Sequence, residues 1–246
     1  MDTSNTPTGR RDSWMRKLIN LGFAARNHPA WPLALAVFLI IGAAGVFVDL
    51  AEDVQTADHI TVVDLQLANW LHAHATPALT HVMLAVSTLH GIPSMSILTV
   101  LLASFLACRG ERGRLPGLLL VVPGGIVLNT LLKFVFHRAR PHFLDPIVTL
   151  TSYSFPSGHV AGSTLFYGFV AVLLIDHTRS LARQVAVVIG ALLVVALVAA
   201  SRVYLGAHFY SDVLAAFFES FAWLGLCLVG IHVIRGRIAA LPERTR

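Results

Sequence analysis

The sequence predicts an all-α integral membrane bundle of six transmembrane helices, with an interfacial amphipathic helix between spans one and two. Three observations predict it. The 246-residue chain is 56% apolar and only 13% charged, with a mean hydropathy of +0.72, whereas an average soluble domain carries roughly 25% charged residues. Six stretches approach the about 20 apolar residues that a bilayer-crossing helix needs. The basic residues gather in alternate connections, the pattern that orients a membrane protein. No low-complexity tract or fixed-period repeat divides the chain. It reads as one membrane domain, 31–236, between a tail at 1–30 and a tail at 237–246.

The first span is predicted from Leu33 to about Leu50, with Pro32 suited to its first turn. It lacks a small-residue cleavage site and reads as a retained helix rather than a signal peptide. In the polar stretch that follows, Val63, Leu67, Trp70 and Leu71 recur at helical spacing opposite Asp64, Gln66 and Asn69. That pattern predicts an amphipathic helix lying in the interface. From Leu79 to Ala107 the chain is too long for one untilted span, and Gly91 and Pro93 interrupt it; the second span is expected to start near that break. The third covers Leu115 to Phe136, where Pro123, Gly124 and Gly125 predict a kink or a close helix approach. The fourth runs from about Ser157 to Ile175, the fifth from about Leu181 to Tyr204, and the sixth from about Phe209 to Ile234.

Arginines and lysines precede span one and follow spans two, four and six. The stretch from Ala51 to Pro77 has Glu52, Asp53, Asp58 and Asp64 and neither Lys nor Arg. Both termini are therefore predicted to be cytoplasmic, in a plasma (inner) membrane, with the connections after spans one, three and five outside. This pattern also accounts for the excess of 18 Lys and Arg over 13 Asp and Glu, so no nucleic-acid partner is expected. Arg138 and Arg140, on the outer side, break the rule; arginines kept against topology are kept for another purpose. Cys108 and Cys227 form no disulfide framework or metal motif.

Three polar clusters fall at the outer ends of the predicted spans: Lys133 to Pro141, Pro156 to His159, and Ser201 to Asp212. Ionisable groups near hydrocarbon are costly and mark sites. Lys133, Arg140 and Arg202 repel one another unless a multiply charged anion joins them, and an arginine fork matches phosphate. Ser157 and the Gly158 peptide add donors at a helix start, where free N–H groups and the dipole favour an anion. With Asp212 one turn beyond His208, its carboxylate can take the Nδ1 proton, leaving Nε2 as a nucleophile. His159 is placed to protonate a leaving oxygen. Phosphoryl transfer by positioning and charge is the chemistry such a set performs. No acidic cluster suited to Mg²⁺ accompanies it, so neither metal nor cofactor is expected.

The clusters read K-x6-R-P, P-S-G-H and S-R-x5-H-x3-D, and in that order they resemble the signature of the type 2 phosphatidic acid phosphatase superfamily, the lipid phosphate phosphatases. The resemblance covers Lys133 to Asp212, about a third of the chain. It implies that Lys133, Arg140, Ser157, Gly158 and Arg202 bind phosphate, that His159 is the general acid, His208 the nucleophile and Asp212 its partner. It also implies a lipid phosphate or diphosphate substrate: undecaprenyl diphosphate, phosphatidylglycerol phosphate or phosphatidate, in that order of expectation. Tyr210 stands where many members have proline. The soluble vanadium haloperoxidases share the signature, but the hydrophobic chain is unlike that branch.

Two other functions use the same residues. A lipid phosphotransferase differs only in the second acceptor, and a binding or transport protein would use the cations without the histidines. Outside the signature, His28, His59, His72, His74, His81, His90, His177 and His232 read as packed or interfacial polar residues. His137, Arg138 and His142, flanking the first motif, suit contact with a headgroup or second phosphate, but read first as solvated loop residues. Glu219, two turns beyond Asp212, suits either the substrate groove or a hydrogen bond to a neighbouring helix. Phe217, Phe218, Phe221 and Trp223 suit packing or a lipid face.

Overall fold

A computed structural model describes residues 31–239, with side chains placed for 33–235. The tail expected at 1–30, with His28 and the arginines counted there, lies outside the described residues, as does the second tail from residue 240 onward. Among the described residues the order is α1 (Trp31–Thr56), α2 (His59–Ala73), α3 (Pro77–Leu89), α4 (Ile92–Cys108), a 3₁₀ turn (Arg112–Arg114), α5 (Leu115–Phe136), α6 (Gly158–Asp176), α7 (Leu181–Tyr204) and α8 (Tyr210–Ala239). Among the described residues five helices are long and apolar enough to cross a bilayer, and α3 with α4, bent by 47° at a short break, supplies a sixth when taken as one broken span. The protein is an integral membrane helical bundle. Its outer surface is apolar where lipid would meet it: Phe38 and Ile41 on α1 and Leu193 on α7 are largely exposed.

Local chemistry sets most boundaries. Asp58 caps α2 by accepting from the His59 N–H at 2.7 Å. Prolines at 77, 93 and 116 occupy first turns, where the missing N–H costs nothing. Gly91, in extended backbone before Ile92, marks the break expected near Gly91 and Pro93. Pro123 sits inside an unbroken α5, and the two glycines after it serve close approach: added Cβ atoms at Gly124 and Gly125 would meet Trp223 and Leu165. At Gly206, φ of +64° turns the chain out of α7, and the Phe143 ring packs against the bare Cα.

Beside α5, α6 and α8, one core joins Leu118, Val121, Val122, Leu165, Phe169 and Leu224. A second core surrounds Phe155, which is fully buried against Phe47 and Phe136 with centroids 6.0 and 4.9 Å away. This ring anchors the 137–157 connection immediately before Ser157.

The helix expected between spans one and two is α2, and one residue of its polar face turns inward. Val63 and Trp70 are exposed, and the buried side contains Asp64, 1% exposed, and Ala68. A carboxylate occupies that inner face because an arginine meets it there.

Candidate active site

Four helix ends meet at one end of the bundle: the last turns of α5 and α7 and the first turns of α6 and α8. Lys133, Ser157 to His159, Arg202 and His208 with Asp212 sit on or beside these ends, so groups up to 79 positions apart share one region. His208 Nδ1 lies 3.4 Å from Asp212 Oδ2. The helix does not begin at His208, so this pair is not formed on a regular helix face. Instead α8 starts at Tyr210, and Asp212 reaches back to its N-terminus, accepting from the Phe209 N–H at 2.8 Å.

Arg140 Nη1 lies 3.2 Å from His208 Nε2. Because a guanidinium only donates, Nε2 must carry the lone pair and Nδ1 the proton, which faces Asp212. Burial pushes His208 from its ordinary 6.5 down to about 3, with Asp212 working against the shift. The imidazole is therefore neutral at pH 7. Burial also lowers Arg140, and Asp212 again opposes it. Arg140 donates to Ser152 O at 2.7 Å, to Ser152 Oγ at 2.9 Å, to Tyr153 O at 3.1 Å and to Ala207 O. Lys133 Nζ donates to the same Tyr153 carbonyl at 2.9 Å and to Ser154 O at 3.3 Å. The two cations are thus held side by side by one stretch of backbone.

Ser157 precedes α6; its N–H donates to Asp212 O at 3.1 Å, while its Oγ is buried without a hydrogen-bond partner. An added Cβ at Gly158 would lie 3.6 Å from Asn129 Oδ1 and 3.9 Å from Lys133 Cε. Gly158 therefore borders the lysine. His159 faces the α3–α4 break, where an added Cβ at Gly91 would come within 3.7 Å of Nε2. Arg202, 3% exposed, donates through Nη1 to Ser87 Oγ on α3 and keeps its buried Nε unpartnered. Its carbonyl accepts from the N–H groups of Ala207 and His208, which ties the end of α7 to the histidine. Among the described residues no three His, Cys, Asp or Glu side chains converge as a metal site would require.

The family whose model matches residues 115–235 is the PAP2 superfamily. Phosphatidylglycerophosphatase B of Bacillus subtilis is 33% identical over 189 residues, covering 76% of this chain and 87% of that protein. The chain belongs to the PAP2 superfamily. A crystal structure described as the first transmembrane PAP2 type phosphatidylglycerolphosphate phosphatase, also from Bacillus subtilis, superposes with a TM-score of 0.68 at 27% identity. The match covers 85% of this chain and all of that one.

Around the signature of this PAP2 chain stand residues that motif reading misses. Arg138 is not a solvated loop residue: it is mostly covered and ion-paired to both Asp212 and Asp64. Its break with the expected alternation of basic connections was the available signal. Ser154 donates to Asp212 and lies 3.4 Å from His208 Nδ1, and Ser87 meets Arg202. Neither carries a sequence signal, since a lone serine in an apolar segment is unremarkable. His137 and His142 are exposed. Glu219 is buried and accepts from Asn129 Nδ2 at 2.9 Å, the helix-to-helix bond that was one of its two readings. His90, read as packed, lies 3.0 Å from the Tyr167 hydroxyl.

Proposed function

We propose that this protein releases the terminal phosphate of a lipid phosphate by way of a phosphohistidine on His208, with no metal ion, on the extracytoplasmic side of the membrane. The observation that carries the reading is the orientation of His208: Nδ1 toward Asp212 and Nε2 toward Arg140, the side on which a phosphate held by that arginine would lie.

In this reading Lys133, Arg140 and Arg202 neutralise the phosphoryl oxygens, and the α6 N-terminus adds its dipole. The unspent buried donors, Ser157 Oγ and Arg202 Nε, complete the cradle. Nε2 attacks phosphorus in line, the bond from phosphorus to the lipid oxygen breaks, and His159 gives that oxygen its proton. Asp212 stabilises the cationic imidazole. Water then loses a proton to His159 and attacks the phosphohistidine, releasing inorganic phosphate and restoring both histidines.

Both named relatives act on phosphatidylglycerol phosphate according to their descriptions. We therefore propose that lipid as the substrate, ahead of undecaprenyl diphosphate and phosphatidate. A groove of about 430 Å³ runs from Gly158 and His90 past Met95, Val122 and Ile126, and offers an acyl chain an apolar path.

The test is phosphate release by detergent-purified protein with EDTA present, on the three lipids, beside His208→Ala. Fastest release from phosphatidylglycerol phosphate, lost in the variant, is expected. If the folded protein binds these lipids but hydrolyses none, the binding or transport alternative holds instead. Rates that rise when a lipid alcohol is added, with phosphate moving to it, identify a phosphotransferase.

A further inference from the structure

Asp212 has two carboxylate oxygens, and the structure separates their partners. Oδ2 receives Ser154 Oγ and the Phe209 N–H at 2.8 Å and lies 3.4 Å from His208 Nδ1. Oδ1 receives Arg138 Nη1 at 2.5 Å. The same nitrogen donates to Ser211 Oγ at 2.7 Å, and Nη2 donates to Asp64 Oδ2 at 2.8 Å. Asp64 belongs to α2, outside the residues that match the family model. It also takes the Ser211 N–H at 2.9 Å on Oδ1 and the Ser211 hydroxyl at 2.5 Å on Oδ2. The guanidinium lies over the Phe209 ring, 4.5 Å from its centroid. Both carboxylate side chains are fully buried and the arginine is 11% exposed.

We propose that Arg138 and Asp64 are positioning residues for the reaction: Arg138 holds one oxygen of Asp212 so that the other stays on His208, and Asp64 holds Arg138. The inference rests on the reading of His208 as the nucleophile. A planar fork with fixed donor directions ties two carboxylates to one rigid group, which a lysine ammonium does not do. Without it Oδ1 has no partner, the carboxylate is free to rotate about its χ2, and the imidazole loses its fixed direction. Small displacements of a reacting atom are enough to cost about 100-fold in rate. Because Asp64 closes the set, α2 is part of the apparatus that aims the nucleophile. Arg138 is not placed as a phosphate ligand: three of its five N–H donors go to Asp64, Ser211 and Asp212, on the side of Asp212 away from His208 Nε2.

The experiment compares wild type, Arg138→Lys and Asp64→Asn as full-length protein in detergent. Rapid-quench trapping of acid-labile phosphohistidine is read beside steady-state release and inhibition by inorganic phosphate. A positioning role gives a rate constant of phosphohistidine formation about 100-fold lower at full amplitude. KM and phosphate inhibition stay within about threefold of wild type, as expected when ground-state binding is untouched. A merely structural role gives the wild-type rate constant at reduced amplitude and overturns the proposal. Phosphate inhibition that weakens in step with the rate also overturns it, by making Arg138 a phosphate ligand. If Arg138→Lys does not fold, Asp64→Asn decides, because it removes charge with almost no change of shape. The underlying phosphatase reading is judged on wild type alone: no release there sinks it, whatever the variants do.

Discussion

Around Leu118, Val121, Leu165 and Phe169 the bundle is packed from hydrocarbon, whereas around Asp64, Arg138, Arg202 and Asp212 it buries charge. The two regions share α8, which lends Leu224 to the first and Asp212 to the second. In the first, any side chain of the right volume fits, and contact is made by dispersion among atoms that lipid would solvate nearly as well. In the second, each group has a specified partner, and losing one leaves another charge buried alone. The difference teaches where function is stored. Geometry at the site is set by directional bonds anchored to helix ends, and the hydrocarbon half serves to hold those ends in register.

The comparison is broken most severely at Asp212. Asp212→Asn keeps the shape but loses the charge and turns one acceptor oxygen into a donor, so the His208 tautomer is no longer fixed, and turnover is expected to fall about 10³-fold or more, with inhibition by inorganic phosphate little changed. Measured phosphate release against substrate concentration checks it, and a fall in phosphate affinity of the same size would contradict the assignment. The opposite region predicts the reverse pattern. Leu118→Ala removes a fully buried side chain and is expected to lower stability by about 2 kcal/mol or more, while kcat per folded molecule stays near wild type. Unfolding in detergent read together with activity distinguishes a stability defect from a catalytic one.

The smallest effect sharpens the contrast by pH. His208 titrates near 3 when folded and near 6.5 in the ordinary state, so the unfolded chain takes up that proton first. Its contribution is therefore fully present above pH 6.5 and is lost progressively as pH falls toward 3. The unfolding midpoint of wild type should drop more than that of His208→Asn over this interval, and equally above it. Equal slopes throughout would show that His208 is not held neutral by burial.

How much could be read in advance differs between the two regions. The limits of α5 and α7, Leu115 to Phe136 and Leu181 to Tyr204, agree with the predicted spans, because long apolar runs bounded by arginine, proline or glycine leave little choice. That the eight signature residues would gather at one end of the bundle was also legible, since the motifs fall at the ends of the predicted spans. Asp64 was not. An acidic residue on an amphipathic helix reads as solvent-facing, and only a partner 74 residues away reverses that. Ser87 and the bend between α3 and α4 were hidden for the same reason: a break in an apolar run says where a helix stops, not that its end will meet Arg202 and His159.

By itself, then, the sequence determined the helical membrane bundle, its spans and the residue types gathered at one end. Those follow from local hydropathy, charge and short-range spacing. Only the tertiary structure decided that Arg138 faces inward, which oxygen of Asp212 meets His208, and that α2 joins the site. Each depends on a contact between chain segments far apart in sequence, and a buried charge is tolerated or forbidden according to whether that contact exists.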